Sequence, residues 1–345
     1  MLKPENIVNP NNFINKCDVI YSKISNPNEL SLNLYKYIEI ENINSHENKS
    51  IFYINQEIEL ADNYWIYAHP ETVELLFIEL NKIENLKNLT LMTSQSDMTI
   101  TKKLFNKKSS CIANWYSTNV GYRHDSLHSI PLGISDSYNF NNFSTNHISN
   151  FQQTTFDKKI DKLFINFRIN TNTKERQKLV EKLKHKKYVF IDEYSDNPVS
   201  YIEKLSKYKY VLCPWGNGID TYRLWETLIS GSIPVVKYHI AYEKFKKFPI
   251  IFYENIEDLT YDYLLEKEKN INLGYSKELL TVDFWINKNN KITDNLRKVS
   301  LSNEKNIKKF IYKRKLKSKL KILKYYISRY LNLINYISYI KKLNN

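Results

Sequence analysis

The chain lacks a long apolar segment and a secretory leader pattern. Although 42% of its 345 residues are hydrophobic, no run approaches the roughly 20 consecutive apolar residues that a membrane span requires. The N-terminal residues show no basic patch, apolar stretch and small-residue cleavage site in succession. These absences argue against an integral membrane protein and predict a cytoplasmic location.

Cysteine is also scarce, and acidic metal-binding motifs are missing. The three cysteines, Cys17, Cys111 and Cys213, lie far apart and without metal-ligand spacing, so the sequence predicts neither a disulfide framework nor a zinc site. No Asp-x-Asp motif occurs. We therefore expect no metal cofactor.

Positive charge is concentrated at the end of the chain. The net charge is +14, but residues 301–345 carry 13 Lys/Arg and one acid, which leaves residues 1–300 nearly neutral. In this tail, apolar residues recur at spacings of three and four: Leu316, Leu320, Leu323, Ile327, Tyr330, Ile334 and Ile337. Basic residues flank them: Lys313, Arg314, Lys315, Lys317, Lys319, Lys321 and Lys324. The pattern predicts a basic amphipathic helix that binds an anionic inner-membrane surface; packing on its own domain or on a partner chain is the alternative. A nucleic-acid partner is not expected.

Short apolar runs alternate with segments of helical periodicity, which predicts parallel sheets covered by helices. The runs of the first half are KYIEI (36–40), IFYI (51–54), YWIYAH (64–69), LTLMTS (89–94) and CIANWYS (111–117). A polar stretch at 134–159 predicts an interdomain linker. The strands of the second half are expected at 162–168, 187–191, 209–214, 233–236 and 249–253, and the helices at 172–185, 198–208, 221–230 and 256–270. The chain therefore reads as two α/β units.

The segment from Tyr210 to Lys237 has the order strand, Gly-containing loop, helix, turn, strand. Gly216 and Gly218 would let the backbone approach a ligand, and a helix starting at Asp220 or Thr221 would direct free N–H groups toward the loop. This arrangement suits a diphosphate. Two side chains lie within the first turns of that helix, on one face: Arg223 could pair with phosphate oxygens, and Glu226 could accept from ribose hydroxyls. An ordinary βα turn with a surface ion pair is the alternative.

This segment resembles the carboxy-terminal motif of exostosin-like glycosyltransferases (glycosyltransferase family 47-like bacterial members). The matching positions are Cys213, Pro214, Gly216, Arg223, Glu226, Gly231, Pro234 and Val235. A second stretch, 112–134, is similar to a family segment through Trp115, Asn119, Pro131, Gly133 and Ile134, and a third, 165–179, supplies Arg168 and Arg176. The resemblance runs from Leu89 to Trp285.

The resemblance implies a GT-B fold: two Rossmann-like domains facing a central cleft, here an acceptor domain at 1–150 and a donor domain at 151–300, followed by the helical tail at 301–345. It implies transfer of a sugar from a nucleotide sugar to a glycan or lipid-linked acceptor in surface polysaccharide or glycoconjugate synthesis, without a metal ion. The implied donor-binding residues are Arg168, Arg176, Gly216, Asn217, Gly218, Asp220, Thr221, Arg223 and Glu226.

Enzymes of this family are usually inverting, so one general base should come from the first domain. Asp97 and His69 follow predicted strands and are the candidates, with His124 and Asp125 as a third, weaker choice. Asp97 could instead cap a helix, and His69 could be a hydrogen-bonded core imidazole. A fucosyltransferase-like GT-B enzyme and a non-catalytic protein that coats membranes or nucleic acid through its tail are the alternative functions.

Overall fold

The computed structural model describes most of the chain. The described residues are 3–22, 24–25, 37–41, 49–53, 57–135, 143–148, 153–192, 197–286 and 296–300, together with ten single positions between 308 and 327.

The elements alternate between strands and helices through most of the chain. The strands are β1 (Val19–Ser22), β2 (Ile24–Ser25), β3 (Tyr37–Glu41), β4 (Lys49–Tyr53), β5 (Glu57–Leu60), β6 (Trp65–Ala68), β7 (Leu89–Thr93), β8 (Ile112–Ser117), β9 (Leu127–Ser129), β10 (Ile160–Ile165), β11 (Val189–Ile191), β12 (Tyr208–Leu212), β13 (Ile233–Lys237), β14 (Ile251–Tyr253) and β15 (Arg297–Ser300). The α-helices are α1 (Pro10–Ile14), α2 (Val73–Leu80), α3 (Lys102–Phe105), α4 (Thr145–Ile148), α5 (Thr173–Leu183), α6 (Pro198–Ser206), α7 (Tyr222–Ile229), α8 (Tyr261–Glu268) and α9 (Val282–Trp285).

The first half forms a five-stranded parallel sheet in the order β1-β6-β7-β8-β9. Its central strands are buried on both faces: every residue of β6 and β7 is buried. Continuous apolar runs are the sequence pattern of such strands, because helices cover both faces of a parallel sheet. On one face, Trp115 is fully buried and its ring contacts Phe77 of α2 and Phe105 of α3.

The second half repeats this arrangement with a different strand order, β11-β10-β12-β13-β14, again all parallel. Helix α7 packs through Leu224, Trp225 and Leu228, which are almost completely buried. A single apolar cluster joins the two sheets, with Met92 of β7 and Val211 of β12 among its members. Two Rossmann-like domains around a shared interface confirm the predicted α/β class and are consistent with GT-B.

The expectation of parallel sheets was wrong for two of the predicted strands. β3 and β4 lie in a separate antiparallel sheet with the order β2-β4-β3. An apolar run predicts a strand but does not determine the direction of its neighbour, which depends on the connection between them. The strands β1 and β9 of the first parallel sheet were not predicted.

The chain returns to the first domain after the second sheet. The backbone N–H of Val8 donates to Leu280 O at 2.9 Å, Lys16 pairs with Asp283 at 2.5 Å, and β15 pairs antiparallel with β5. Leu280, Asp283 and β15, assigned by sequence to the donor domain, thus contact the acceptor domain. The three domain limits remain predictions.

The basic tail is described at ten positions, all helical and all exposed. Six of them carry large apolar side chains that are 46–66% exposed: Tyr312, Leu316, Leu320, Leu323, Tyr326 and Ile327. The remaining predicted apolar positions, Tyr330, Ile334 and Ile337, lie outside the described residues. Within the described part of the chain, no helix combines the length and apolar character needed to cross a bilayer.

Candidate functional site

The order of the second sheet creates a crevice at the ends of its strands. From β10 the chain moves to β11 on one side and then to β12 on the other, so the two connections leave the carboxyl ends of β10 and β12 in opposite directions. Ligands of open α/β sheets bind at such a switch point. The loop with Arg168 and Thr171 follows β10, and the loop with Gly216 and Gly218 follows β12.

A cavity of about 300 Å³ opens at this point. Its walls come mainly from the second domain, with Asp97, Leu132 and Phe143 added by preceding parts of the chain. The other lining residues are Arg168, Thr171, Arg176, Tyr201, Gly216, Asn217, Gly218, Asp220, Thr221, Tyr222, Arg223 and Glu226. All the residues predicted to bind the donor therefore meet in one cavity, together with one of the two predicted base candidates.

The Gly loop is fixed against the first domain. The Asn119 amide oxygen accepts from the backbone N–H groups of Ile219 and Asp220 at 3.1 and 3.0 Å, and its amide nitrogen donates to Ser96 O at 3.0 Å. A Cβ on Gly218 would lie 3.0 Å from Asp97 Oδ1 and 3.1 Å from Asn119 Nδ2. Only glycine therefore fits without displacing one of these two side chains.

Helix α7 begins directly behind this loop. Thr221 occupies the N-cap position, yet its side chain makes no capping hydrogen bond. The first N–H groups of a helix lack intrahelical partners, and the positive end of the dipole lies there. Because no side-chain oxygen of Thr221 fills this position, an anion in the cavity could do so.

Arg176 holds the two loops of the crevice together. Its guanidinium donates to Trp215 O at 2.9 Å, Arg168 O at 2.7 Å and Pro214 O at 3.2 Å. Burial, with a smaller contribution from the charge of Arg223, lowers the pKa of Arg176 to about 10. The side chain therefore stays charged near neutral pH, and it adds positive potential to the cavity while it shapes the loops.

Arg223 and Glu226 lie on one side of α7 and share a partner. Arg223 Nη1 donates to the Tyr201 hydroxyl at 2.6 Å, and its guanidinium stacks over the rings of Tyr201 and Phe167 at 5.3 and 6.0 Å. Glu226 is 6% exposed. Burial raises the pKa of Glu226 to about 7, although the Arg223 charge and a hydrogen bond from Tyr201 act in the opposite direction.

Asp97 faces the Gly loop from the first domain. Burial raises the pKa of its carboxyl group, while hydrogen bonds from the Asn217 side chain and the Gly218 backbone lower it. A carboxylate of raised pKa in a cleft has the properties of a general base. The same contacts also tie the loop to the first domain, so the role of Asp97 as base remains a prediction.

Asp220 connects the domains. Its carboxylate accepts from Leu132 N at 2.7 Å, Thr221 N at 2.8 Å and Trp225 Nε1 at 3.0 Å. Burial raises the pKa of this carboxyl group to about 7 despite these donors. Asp220 borders the cavity, but its oxygens point into the interface. Its observed contacts are those of an anchor for Leu132 and α7.

His69 does not line the cavity. Its ring is 2% exposed; Nδ1 accepts from Glu71 N at 3.3 Å, and Nε2 is 3.0 Å from Gln95 O. The structure thus places it as the N-cap of the short helix Pro70–Thr72. His124 and Asp125 are exposed and do not line the cavity either. The geometry favours Asp97 among the candidates for the base.

Sequence reasoning missed three polar residues of the cavity, Thr171, Tyr201 and Tyr222. Thr171 follows β10, and its hydroxyl oxygen is buried without a hydrogen-bond partner, which makes it available to a ligand. Its place just after a predicted strand was a signal that could have found it. Tyr201 lies on α6 with the apolar residues of that helix, so the sequence pattern indicated a core residue.

Metal ligands do not cluster in the described residues. No group of three or more His, Cys, Asp or Glu side chains there has a metal-binding arrangement. The charged groups around the cavity are instead the arginines Arg168, Arg176 and Arg223 and the acids Asp97, Asp220 and Glu226.

The second half of the chain is similar to a known protein family. Residues 133–287 match the family model of the RXYLT1 C-terminal domain, and no curated protein sequence matches the chain. Among solved structures, the crystal structure of an alpha1,3-fucosyltransferase is similar at 15% identity over 72% of this chain and 76% of that chain, with a TM-score of 0.34. The family match contains the whole second sheet and α7, and it leaves Asp97 and the first sheet outside.

Proposed function

We propose that the chain is a glycosyltransferase that moves a sugar from a nucleotide-sugar donor to a glycan or lipid-linked acceptor in the synthesis of surface polysaccharide or glycoconjugates. One observation carries the proposal. Arg223 and Glu226 open into the same cavity as the amino end of α7, whose cap residue makes no side-chain capping bond. A cation, a carboxylate and the amino end of a helix at a switch point fit the diphosphate and ribose of a nucleotide.

The donor would bind with its diphosphate at the Gly loop and its ribose deeper along α7. Arg223 and the amino end of α7 would contact the phosphates, while the unpartnered hydroxyl of Thr171 would donate to a phosphate oxygen. Arg168 would add charge from the mouth of the cavity. Glu226 would accept from ribose hydroxyls.

The chemistry would be a single displacement with inversion. Asp97 would take the proton of the acceptor hydroxyl as the oxygen of that hydroxyl bonds to the anomeric carbon, and the bond from the anomeric carbon to the diphosphate would break. The leaving diphosphate gains negative charge in this step. Arg223, Arg168 and the end of α7 would stabilise that charge without a bound cation.

A panel of nucleoside diphosphates, with and without magnesium, tests the proposal through thermal unfolding. A ligand that binds only the native state raises the apparent stability by mass action. We expect stabilisation by one nucleotide class, without a metal requirement. A shift that needs magnesium would contradict the metal-independent mechanism, and the absence of any shift at high ligand concentration would contradict the donor site.

A matched pair of variants strengthens this test. Glu226→Gln removes the proposed ribose acceptor and should lose most of the nucleotide-induced shift. Glu203→Gln removes the same charge from an exposed position on α6 and should keep it. In a degenerate transferase fold that acts as a scaffold, neither variant would change the response to nucleotide. The choice between an exostosin-like and a fucosyltransferase-like enzyme remains a prediction.

We also propose that the tail binds an anionic membrane surface at the cytoplasmic face. The described apolar side chains of the tail are 46–66% exposed at helical spacing, and the described basic side chains beside them are exposed as well. Burying such apolar side chains in the headgroup region would remove them from water, and each nearby Lys contributes about 1 kcal/mol at an anionic leaflet.

Sedimentation of the full chain with lipid vesicles tests this proposal. We expect binding to vesicles that contain anionic lipid, weaker binding at high salt, and loss of binding in Leu320→Glu/Leu323→Glu. Equal binding to neutral vesicles would contradict the electrostatic part. If the chain instead binds duplex DNA in a salt-sensitive manner and does not bind vesicles, the partner of the tail is nucleic acid and the membrane proposal is wrong.

A further inference from the structure

Tyr201 lies between the two side chains that the proposed donor site depends on. It belongs to α6, is 8% exposed and lines the cavity. Its hydroxyl is 2.6 Å from Arg223 Nη1 and is hydrogen-bonded to Glu226. The residue thus connects a separate helix to the functional face of α7.

The directions of these hydrogen bonds follow from the groups involved. A guanidinium can only donate, so the Tyr201 oxygen must be the acceptor from Arg223. The single hydroxyl proton is then available to Glu226 alone. Since a carboxylate has about four acceptor positions, Glu226 keeps acceptor capacity for other hydroxyl groups after it binds Tyr201.

The bridge also restricts movement. The guanidinium of Arg223 lies over the Tyr201 ring at 5.3 Å, in addition to its bond to the hydroxyl. These two contacts to one rigid side chain hold Arg223 in one arrangement before a ligand binds. Arg223 therefore loses less conformational entropy on binding than a mobile arginine would.

We propose that Tyr201 is a positioning residue of the nucleotide site, which holds Arg223 and Glu226 in the one relative orientation that lets the carboxylate accept from the ribose hydroxyls. This inference rests on the proposed function. It assigns recognition of the ribose to a residue of α6 as well as to α7.

The protonation of Glu226 provides a second readout. Besides burial, two groups set the pKa of Glu226: Arg223 on its own helix and Tyr201 on α6. Cys213, after β12, also faces this region, and its thiol is neutral because burial raises its pKa to about 12. The charge of Arg176 on α5 acts on Arg223. The Tyr201 hydrogen bond lowers the pKa of Glu226, so its removal should raise that pKa and shift the acid limit of nucleotide binding to higher pH.

Calorimetric titration of the full chain tests the inference. The ligands are the nucleoside diphosphate that stabilises the protein most and its 2′-deoxy form, each over a range of pH. Tyr201→Phe keeps the ring and removes the hydroxyl. Tyr208→Phe is the matched control, because Tyr208 is also 8% exposed and begins the next strand but does not line the cavity.

For Tyr201→Phe we expect roughly tenfold weaker binding of the ribonucleotide, in line with a hydrogen bond to a charged group. The preference for ribose over deoxyribose should fall toward one, and the acid limit should move up in pH. Tyr208→Phe should behave as wild type. The ratio of two ligands on the same folded protein remains decisive even if Tyr201→Phe lowers stability.

An unchanged ribose preference with an unchanged acid limit in Tyr201→Phe would overturn the inference and leave the proposed function standing. If the wild-type chain binds no nucleoside diphosphate, the proposed function fails, and the inference fails with it.

Discussion

The two parallel sheets have the same number of strands but differ at the carboxyl ends of those strands. In the first domain the order β1-β6-β7-β8-β9 follows the chain without reversal, and the residues after its strands are occupied by local bonds: Tyr67 donates to Ser94 O, and Asn119 donates to Ser96 O. In the second domain the order reverses at β10, and the loops diverge around a cavity. Strand order, more than composition, decides which sheet has a ligand crevice at the carboxyl ends of its strands.

Because of this difference in strand order, the two domains contribute different groups to the cavity. The second domain provides the arginines, the Gly loop and the proposed ribose acceptor, Glu226, while the first provides one carboxylate, Asp97, and a surface that fixes the loop. If this division holds, substitutions in the first domain should affect the reaction rate, and substitutions in the second should affect donor binding or stability.

The strongest test of the division is Asp97→Asn. The amide keeps the shape of the side chain but cannot take a proton, so we expect the rate of sugar transfer to fall by roughly 10²- to 10⁴-fold. Binding of nucleoside diphosphate should change only a few-fold. Release of nucleoside diphosphate from the donor measures the rate, and titration measures binding.

His69→Gln and Asp125→Asn serve as comparison variants for the base. Neither side chain lines the cavity, and we expect both variants to keep most of the wild-type rate. If one of them loses activity while Asp97→Asn remains active, Asp97 is not the base.

Arg176→Met should mainly affect stability. It leaves three backbone carbonyl oxygens without their donor, and we expect a loss of about 3 kcal/mol in the free energy of unfolding. Urea denaturation measures the loss. Lys178→Met, on an exposed position of the same helix, should change stability by less than about 0.5 kcal/mol. Equal effects of the two would show that the carbonyl contacts do not stabilise the loops.

The domains should also differ in their response to pH. Burial raises the pKa of Glu226 to about 7, so the folded state holds a proton that the unfolded chain has released, and this group destabilises the fold as pH rises from about 4 to about 7. In the first domain, burial and the Lys244 charge lower the pKa of His128 from 6.5 to about 4. The unfolded chain therefore binds a proton that the folded state does not, and this group destabilises the fold as pH falls from about 6.5 to about 4.

The difference between Glu226→Gln and wild type separates these contributions, because His128 is present in both. Relative to wild type, the variant should gain about 2 kcal/mol of stability between about pH 5 and about pH 8. Urea denaturation at a series of pH values measures the gain. A difference that does not vary with pH would mean that Glu226 titrates at its ordinary value.

The smallest expected effect is that of Gly218→Ala. The added methyl group would lie 3.0 Å from Asp97 Oδ1 and 3.1 Å from Asn119 Nδ2, so the two domains would separate slightly at the loop. We expect a loss of about 1 kcal/mol in stability and slightly weaker nucleotide binding. Gly274→Ala, at an exposed site where the methyl group meets only Asn272, is the control and should change neither.

The sequence predicted much of the fold because buried strands have long apolar runs. β6 and β7 fall within the predicted runs, and β10, β12 and β13 overlap theirs, extending up to two residues beyond them at the start or end. β9 has only three residues, Leu127–Ser129, with a histidine at its centre, too short and too polar for a periodic signal. The direction of β3 and β4 could not be predicted, because pairing is a tertiary property.

The site was predictable where it is local in sequence. Gly216, Arg223 and Glu226 belong to one loop and one helix, so their spacing already places them together. Tyr201 reaches the same cavity only because α6 packs beside α7, and no pattern within α6 indicates this. His69 stands after a strand, as a catalytic group would, but its ring nitrogens bind the local backbone.

The return of the chain to its beginning limits how the enzyme could open. β15 pairs with β5, and Leu280 O accepts from Val8 N, so the two domains are tied by the late segment as well as by the chain between β9 and β10. A second connection reduces the conformational freedom that the two domains would have about a single linker. Opening would then widen the cleft for exchange of nucleotide, and on closing Asp97 would come back opposite α7.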